Sequence, residues 1–452
     1  MNIKAGTRMS WKQVFVGSIC VCAWAGAHAA PSASSSDAGP SYGKQATSGI
    51  ELVSNSPGRL ASAPIEHLGF VDTDLPELPA NLNEQIVRIP VDAAGTVTLE
   101  TTIFRPDGPG PFPMIVFNHG KTEGDPHNQS RSRPIAFARE FVRRGYVVVA
   151  PNREGFAESG GSYHQEGCDV EKNGVAQAGD VAAAIAYMSK QSYVDASHIV
   201  VAGTSHGGLT TIAYGSSAAQ GVRGLINFSG GLRQDACTGW QDNLTQAFGH
   251  YGEHARVPSL WLYGDNDSVW TSELTARMYG AYVEHGAHAN MIDYGSYKND
   301  AHRLVVDRDG VQVWWPVVDA FLARVGMPTR VAYRVAEQAA PHASGYATVD
   351  SVSAVPYVDA AGRAAYRKFL SQYPSRAFAL SSSGAWSWAE GGDDPRTMAL
   401  ASCRRENHGS PCRLYAVDDT VVWNERSSDT TQTADSNDET TVTGVDALAS
   451  RN

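Results

Sequence analysis

Cysteine is scarce, six residues in a chain of 452, and no two of them form a Cys-x-x-Cys pair. A thiolate metal site therefore lacks its usual spacing. Positive charge is also short: 36 Lys and Arg stand against 47 Asp and Glu, a formal net charge of −11, with no long basic run. That balance excludes nucleic acid or an anionic membrane as the main partner. Long apolar runs are missing as well. The one candidate, residues 14–25, is shorter than the roughly 20 residues that a membrane span needs. No internal repeat of propeller type is visible.

The short apolar run has another reading. Lys4, Arg8 and Lys12 precede or enter it and Ala27-His-Ala29 follows, which predicts a secretory signal peptide over residues 1–29. Its cleavage removes Cys20 and Cys22 and leaves Cys168, Cys237, Cys403 and Cys412. An even number of cysteines in an exported chain predicts two disulfides. Cys403 and Cys412 are neighbours in sequence and pair first, which leaves Cys168 for Cys237. The location expected is periplasmic or secreted, with no stable membrane insertion after cleavage.

What is present describes a globular protein: 42% hydrophobic and 18% charged residues, long enough for one large domain and a smaller one. Residues 30–83 are rich in Ser, Ala, Pro and Gly and read as a linker or N-terminal strap. From residue 84 the pattern changes. Gln85–Pro90 and Val97–Phe104 alternate like an antiparallel pair. Short, largely apolar strands follow at 114–117, 147–150, 199–202, 224–228, 259–263 and 289–293, separated by helical stretches at 133–144, 174–190, 208–216, 272–285 and 311–324. Strands buried on both faces look like this. The alternation predicts a doubly wound α/β domain with a mostly parallel sheet over residues 84–327. Residues 330–424 predict a small α+β module, strand-rich with one helix at 395–405 and stapled by Cys403–Cys412. Residues 425–452 are rich in Ser, Thr and Asp and predict a disordered tail.

Chemistry concentrates at the C-terminal ends of the strands in such a domain. The run Ile199-Val-Val-Ala-Gly-Thr-Ser-His-Gly-Gly208 reads as strand, tight turn and helix start, with Ser205 at the tip. With 44 glycines in the chain, chance alone supplies about a third of a Gly-x-Ser-x-Gly match. The setting matters more than the pattern, because a serine pushed off a sheet edge before a helix N-terminus is presented as a nucleophile. Such a serine needs a base and an acid that holds the base. After the 259–263 strand comes Gly264-Asp-Asn-Asp267, where Asp265 or Asp267 suits the acid and Asp267 is preferred. After the last strand comes His302, preferred as base over His206, His285 and His288. Backbone N–H groups of His206 and Lys121 are the expected oxyanion donors, with His119 holding the loop between. Arg153 and Glu154 are expected to pair structurally. Walls at 152–168 and 230–254 are expected over the strand ends, tied by Cys168–Cys237, with Trp240, Phe248 and Tyr251 as pocket aromatics or ordinary core.

Together Phe117-Asn-His-Gly120, Gly203-Thr-Ser-His-Gly-Gly208, Gly264-Asp-Asn-Asp267 and Asp300-Ala-His302 resemble the dienelactone hydrolase-like branch of the α/β-hydrolase superfamily. The resemblance spans residues 84–327 and implies a Ser205-Asp267-His302 triad, with no cofactor and no metal. Dienelactone hydrolases proper carry cysteine where this chain has Ser205, so dienelactone itself is a poor guess at the substrate. The Gly-x-Ser-x-Gly-Gly form also resembles prolyl-oligopeptidase-type peptidases. The expectation is an exported serine esterase acting on a small molecule or polymer side group. The alternatives are a peptidase using the same residues, or a cell-envelope binding protein whose C-terminal module carries the function.

Overall fold

The computed structural model describes residues 75–424 apart from 219, 338, 340, 373–374 and 391–393. The segments expected as signal peptide and disordered tail, and the linker up to residue 74, lie outside the described residues.

The central sheet has eight strands: β1 (Gln85–Pro90), β2 (Thr98–Phe104), β3 (Phe112–Asn118), β4 (Val147–Pro151), β5 (Val194–Thr204), β6 (Val222–Phe228), β7 (Ser259–Tyr263) and β8 (Ala289–Asp293). Their order is β1-β2-β4-β3-β5-β6-β7-β8. β1 and β2 run antiparallel to their neighbours, and every pairing from β4 to β8 is parallel. Six helices cover the sheet: α1 (Ile135–Val142), α2 (Val170–Met188), α3 (His206–Tyr214), α4 (Trp240–His254), α5 (Ser272–Glu284) and α6 (Val311–Arg324).

The strands read as apolar runs because both faces are buried. In β3, Met114 and Val116 join one core while Ile115 and Phe117 join the other, as the two-residue strand period requires. The first core lies beneath α2 to α5, and the second beneath α1 and α6. Trp261 on β7 is fully buried, with ring centroids of Phe248 and Tyr282 5.0 and 5.1 Å away and its indole N–H donated to Ser259 Oγ at 2.9 Å. Truncating such a residue to alanine costs about 3–5 kcal/mol.

α4 corrects the expectation of a loop wall at 240–254. Its apolar residues Leu244, Ala247, Phe248 and Tyr251 recur at helical spacing and are all buried. Phe248 and Tyr251 belong to the core, and Trp240 packs on Trp270 with centroids 6.4 Å apart, outside the lining of the cleft described below.

Ahead of the sheet, Glu77–Leu78 pairs in parallel with Arg334–Val335, and Leu78 and Leu82 bury themselves in the α1/α6 core. The C-terminal module is a four-stranded antiparallel sheet of β9 (Arg376–Leu380), β10 (Trp386–Glu390), β11 (Arg413–Val417) and β12 (Thr420–Val421), in the order β10-β9-β11-β12. It carries two helices rather than the single one expected, α7 (Ala360–Leu370) and α8 (Pro395–Glu406). Phe378 and Leu380 face α7 residues Tyr366 and Phe369, whereas Ala377 and Ala379 face Ala399 and the Cys403–Cys412 disulfide. The module meets the larger domain through ion pairs Arg303–Glu390 (3.3 Å) and Arg133–Asp394. Among the described residues no helix is long and apolar enough to cross a membrane.

Candidate active site

β5 runs straight into α3, and Ser205 between them holds φ 54° and ψ −124°. A non-glycine residue at positive φ costs free energy and persists only where its surroundings over-determine it. They do so here. The Ser205 N–H donates to Phe228 O at 3.0 Å, and its carbonyl accepts from the N–H groups of Gly208 (2.9 Å), Leu209 (3.2 Å) and Gly231 (3.0 Å). The glycines are required by contact: a Cβ on Gly203 would lie 2.2 Å from Gly207 O, and one on Gly207 would lie 2.0 Å from Asn118 O. His206 is the first residue of α3, so its N–H has no acceptor within the helix by construction.

The loop after β3 presses on the same serine. A Cβ on Gly120 would lie 3.2 Å from Ser205 Cβ and 3.8 Å from Oγ. His119 is buried and holds this loop. Its Nδ1–H donates to Gly120 O at 2.7 Å, and its Nε2 accepts the Arg153 N–H at 3.2 Å. Gln129 Nε2 also donates to Gly120 O, at 3.0 Å.

At the end of β7 the side chain of Asp267 is fully buried. Its carboxylate accepts from His302 Nδ1 at 3.0 and 3.1 Å and from the N–H groups of Val269 (2.8 Å) and Trp270 (3.0 Å). Burial pushes the acid up. The His302 hydrogen bond and charge, with the two backbone donors, outweigh it and hold Asp267 below its ordinary range. Asp265, the other candidate, is exposed and is raised by the facing carboxylate of Asp293.

His302 sits in a one-turn 3-10 helix, Ala301–Arg303, beyond β8. Its loop is laced to the Asp267 loop. Asp300 accepts from the His302 N–H (2.9 Å), the Ser268 N–H (3.0 Å) and the Ser268 hydroxyl (2.8 Å). Asn266 accepts from the Tyr297 N–H at 2.9 Å and donates to Lys298 O at 3.0 Å. The Trp270 ring lies 6.3 Å from the His302 ring, and its indole donates to Ser229 O at 2.7 Å.

Ser205, His206, Lys121 and His302 line one cleft of about 970 Å³, together with Tyr163, Trp270 and Gln234. The Cys168–Cys237 disulfide also lines it, joining the segment that follows β4 to the one that follows β6. Four predicted residues, Ser205, His206, Lys121 and His302, thus reach a common space, with Asp267 bonded behind the last.

Arg153 departs from expectation. It does not pair with Glu154. It is wholly buried, with Nε donating to Gln177 Oε1 (2.8 Å) and Nη2 donating to His206 Nδ1 (3.2 Å). The Glu154 N–H goes to Asp180 instead, at 2.8 Å. Nothing in the sequence marks this contact, because Arg153, Gln177 and His206 come from three separate segments. Asp300 was legible only as part of the Asp-x-His motif, not as the tie between two loops.

Residues 135–325 match the prolyl oligopeptidase family. Among solved structures the chain is similar to a putative dienelactone hydrolase of Klebsiella pneumoniae, at 17% identity over 53% of this chain and 99% of that one, TM-score 0.39. It is similar to an esterase of Pyrococcus furiosus at 17% identity over 55% and 92%, TM-score 0.39. It is also similar to a putative dipeptidyl aminopeptidase IV of Bacteroides ovatus at 17% identity over 53% of this chain and 35% of that one, TM-score 0.43. No curated protein matches the chain. The sheet order and the strand-turn-helix at Ser205 are those of an α/β-hydrolase fold, and the family match lies within that domain.

Proposed function

We propose that this α/β-hydrolase is an exported serine hydrolase that cleaves carboxylic esters through an acyl-enzyme. The observation that carries the reading is the convergence of Ser205, held at positive φ, and the buried Asp267–His302 pair on one cleft. His302 takes the Ser205 proton as Oγ attacks the ester carbonyl. Asp267 fixes the ring so that Nδ1 carries the hydrogen and Nε2 is left as base. The tetrahedral oxyanion forms beside the N–H groups of His206 and Lys121. One such donor is worth about 2.7–4 kcal/mol of barrier in a well-studied protease. Collapse expels the alcohol, which takes the proton from His302. Water activated by the same histidine then releases the acid.

The cleft lining supports a polar substrate, since hydrogen-bonding side chains such as Gln165, Gln234 and Asn173 outnumber aliphatic ones. Two disulfides are compatible with export. The match to the prolyl oligopeptidase family favours one competing reading, a peptidase using the same residues. Steady-state assays of short-chain aryl esters beside aminoacyl amides decide between them. The ester reading expects turnover of esters alone, abolished in Ser205→Ala with the fold retained. Amide turnover at a comparable rate overturns it in favour of the peptidase. Failure of a fluorophosphonate to label Ser205 in the folded protein overturns both.

A further inference from the structure

Arg153 is a guanidinium at zero exposure that makes no salt bridge among the described residues, although the charge of Asp180 acts on it from beyond that distance. Burying a charge with no carboxylate bonded to it directly is expensive, so the position asks for an explanation. Its contacts point in one direction. Through Nη2 it donates to His206 Nδ1 (3.2 Å), and His206 Nε2–H in turn donates to Asn173 Oδ1 (2.8 Å). Both ring nitrogens of the residue after the nucleophile are thereby spoken for. Through its backbone N–H the same Arg153 donates to His119 Nε2, and His119 Nδ1–H donates to Gly120 O.

That carbonyl shares a peptide plane with the N–H of Lys121. Fixing Gly120 O on one side of the plane fixes the Lys121 N–H on the other. The two backbone groups assigned to the oxyanion come from loops after different strands. Arg153, at the end of a third strand, contacts the side chain that steadies each of them.

We propose that Arg153 is a positioning residue that sets both oxyanion donors, one arm through His206 and the other through His119. Gln177 aims the guanidinium by accepting Nε–H at 2.8 Å, and the Phe156 ring lies 5.2 Å from its central carbon. Both histidines remain neutral, as the pattern requires: each ring donates at one nitrogen and accepts at the other. Arg153 does not itself line the cleft, so it acts through these two rings. The inference rests on the serine hydrolase reading above.

The test uses the full chain with its disulfides formed. Arg153→Lys removes the guanidinium arm, and His119→Asn shortens the other. The readouts are kcat and KM for an aryl ester, affinity for a boronic acid whose tetrahedral adduct places an oxygen in the oxyanion position, and affinity for the product acid. Each variant is expected to lose 10- to 100-fold in kcat, with KM within about twofold. Boronate affinity should fall in parallel and product affinity should hold. Gln177→Leu, which leaves the charge in place but unaims it, should show a smaller loss of the same kind and serves if Arg153→Lys fails to fold. A folded variant with lowered Tm but wild-type kcat and boronate affinity overturns the proposal. Fluorophosphonate labelling of the wild type separates the two levels. An unlabelled wild type rejects the hydrolase reading, whereas a labelled wild type with equally fast labelling of both arm variants rejects only the role of Arg153.

Discussion

Asp300 grips Ser268 with both carboxylate oxygens, one on its N–H at 3.0 Å and the other on its hydroxyl at 2.8 Å, and the first also caps the His302 N–H at 2.9 Å. Ser268 follows Asp267 directly and Asp300 stands two residues before His302, so the loops of the proposed acid and base are fastened close to each functional side chain. Asp300→Ala removes three hydrogen bonds at once. The expected result is a fall of about tenfold in kcat and a loss of about 2 kcal/mol of stability, since a hydrogen bond to a charged group contributes about 1.5–3 kcal/mol and this site is partly wet. Asp300→Asn should keep much of both. Steady-state kinetics and urea unfolding check this, and an unchanged kcat in a destabilised Asp300→Ala would limit Asp300 to a structural tie.

Two glycines near Ser205 should behave differently when a methyl is added. At Gly207 the new Cβ meets the backbone oxygen of Asn118 at 2.0 Å, which cannot move without shifting β3. Gly207→Ala should cost about 3 kcal/mol or more and yield little folded protein. At Gly120 the nearest atom is Ser205 Cβ at 3.2 Å. Gly120→Ala should fold within about 1 kcal/mol of wild type and lose activity, because the crowding falls on the proposed nucleophile. Thermal unfolding and ester turnover measured side by side separate the two cases.

The pH dependence of stability should carry the mark of His119 and His206. Burial first, and then the charge of Arg153, holds both well below the ordinary histidine value of 6.5. In the unfolded chain they protonate near 6.5, whereas the native state keeps them neutral. Their contribution is therefore complete above 6.5 and is lost progressively as pH falls below it, by up to about 1.4 kcal/mol per pH unit for each ring. Urea midpoints of the wild type between pH 7.5 and 5 should decline more steeply than those of His119→Asn. Parallel profiles would show that His119 takes up its proton without unfolding.

The two disulfides should differ in weight and in consequence. Cys168–Cys237 closes a loop with a sequence separation of 69, and Cys403–Cys412 one of 9. Chain entropy alone gives about 4 kcal/mol for the first and about 2.5 for the second. Paired serine variants should lower Tm in that order. Only the first lines the cleft, so only Cys168→Ser/Cys237→Ser should also raise KM, and a KM change in the other pair would contradict this assignment.

The parallel sheet was legible because strands such as Val147–Pro151 are buried at every position and stand out as unbroken apolar runs. Ser205, Asp267 and His302 were legible for a related reason: each follows such a run. α4 was hidden within the wall expected over 230–254, a stretch that Gly249 and Gly252 interrupt. Gly252 is there because a Cβ would lie 2.2 Å from Tyr282 O, and Gly249 faces His285 at 3.2 Å. These are close helix–helix contacts, and the spacing Leu244, Ala247, Phe248, Tyr251 was the signal to follow. α7 was hidden by its length and by Gly362, which clears space for Trp386, although Asp359 caps it as a start signal should. The role of Arg153 had no local signature, because its partners meet only after the sheet has formed.

A disulfide in the wall of a cleft makes the way the protein is prepared part of what is measured. Chain produced in a reducing cell interior and assayed without reoxidation would keep the strand-end geometry around Ser205, which owes nothing to sulfur, but its two walls would be unfastened. A substrate survey on such material would report the reactivity of the nucleophile and misstate its selectivity. Only with Cys168 and Cys237 joined does a ranking of test substrates describe the shape of the closed cleft.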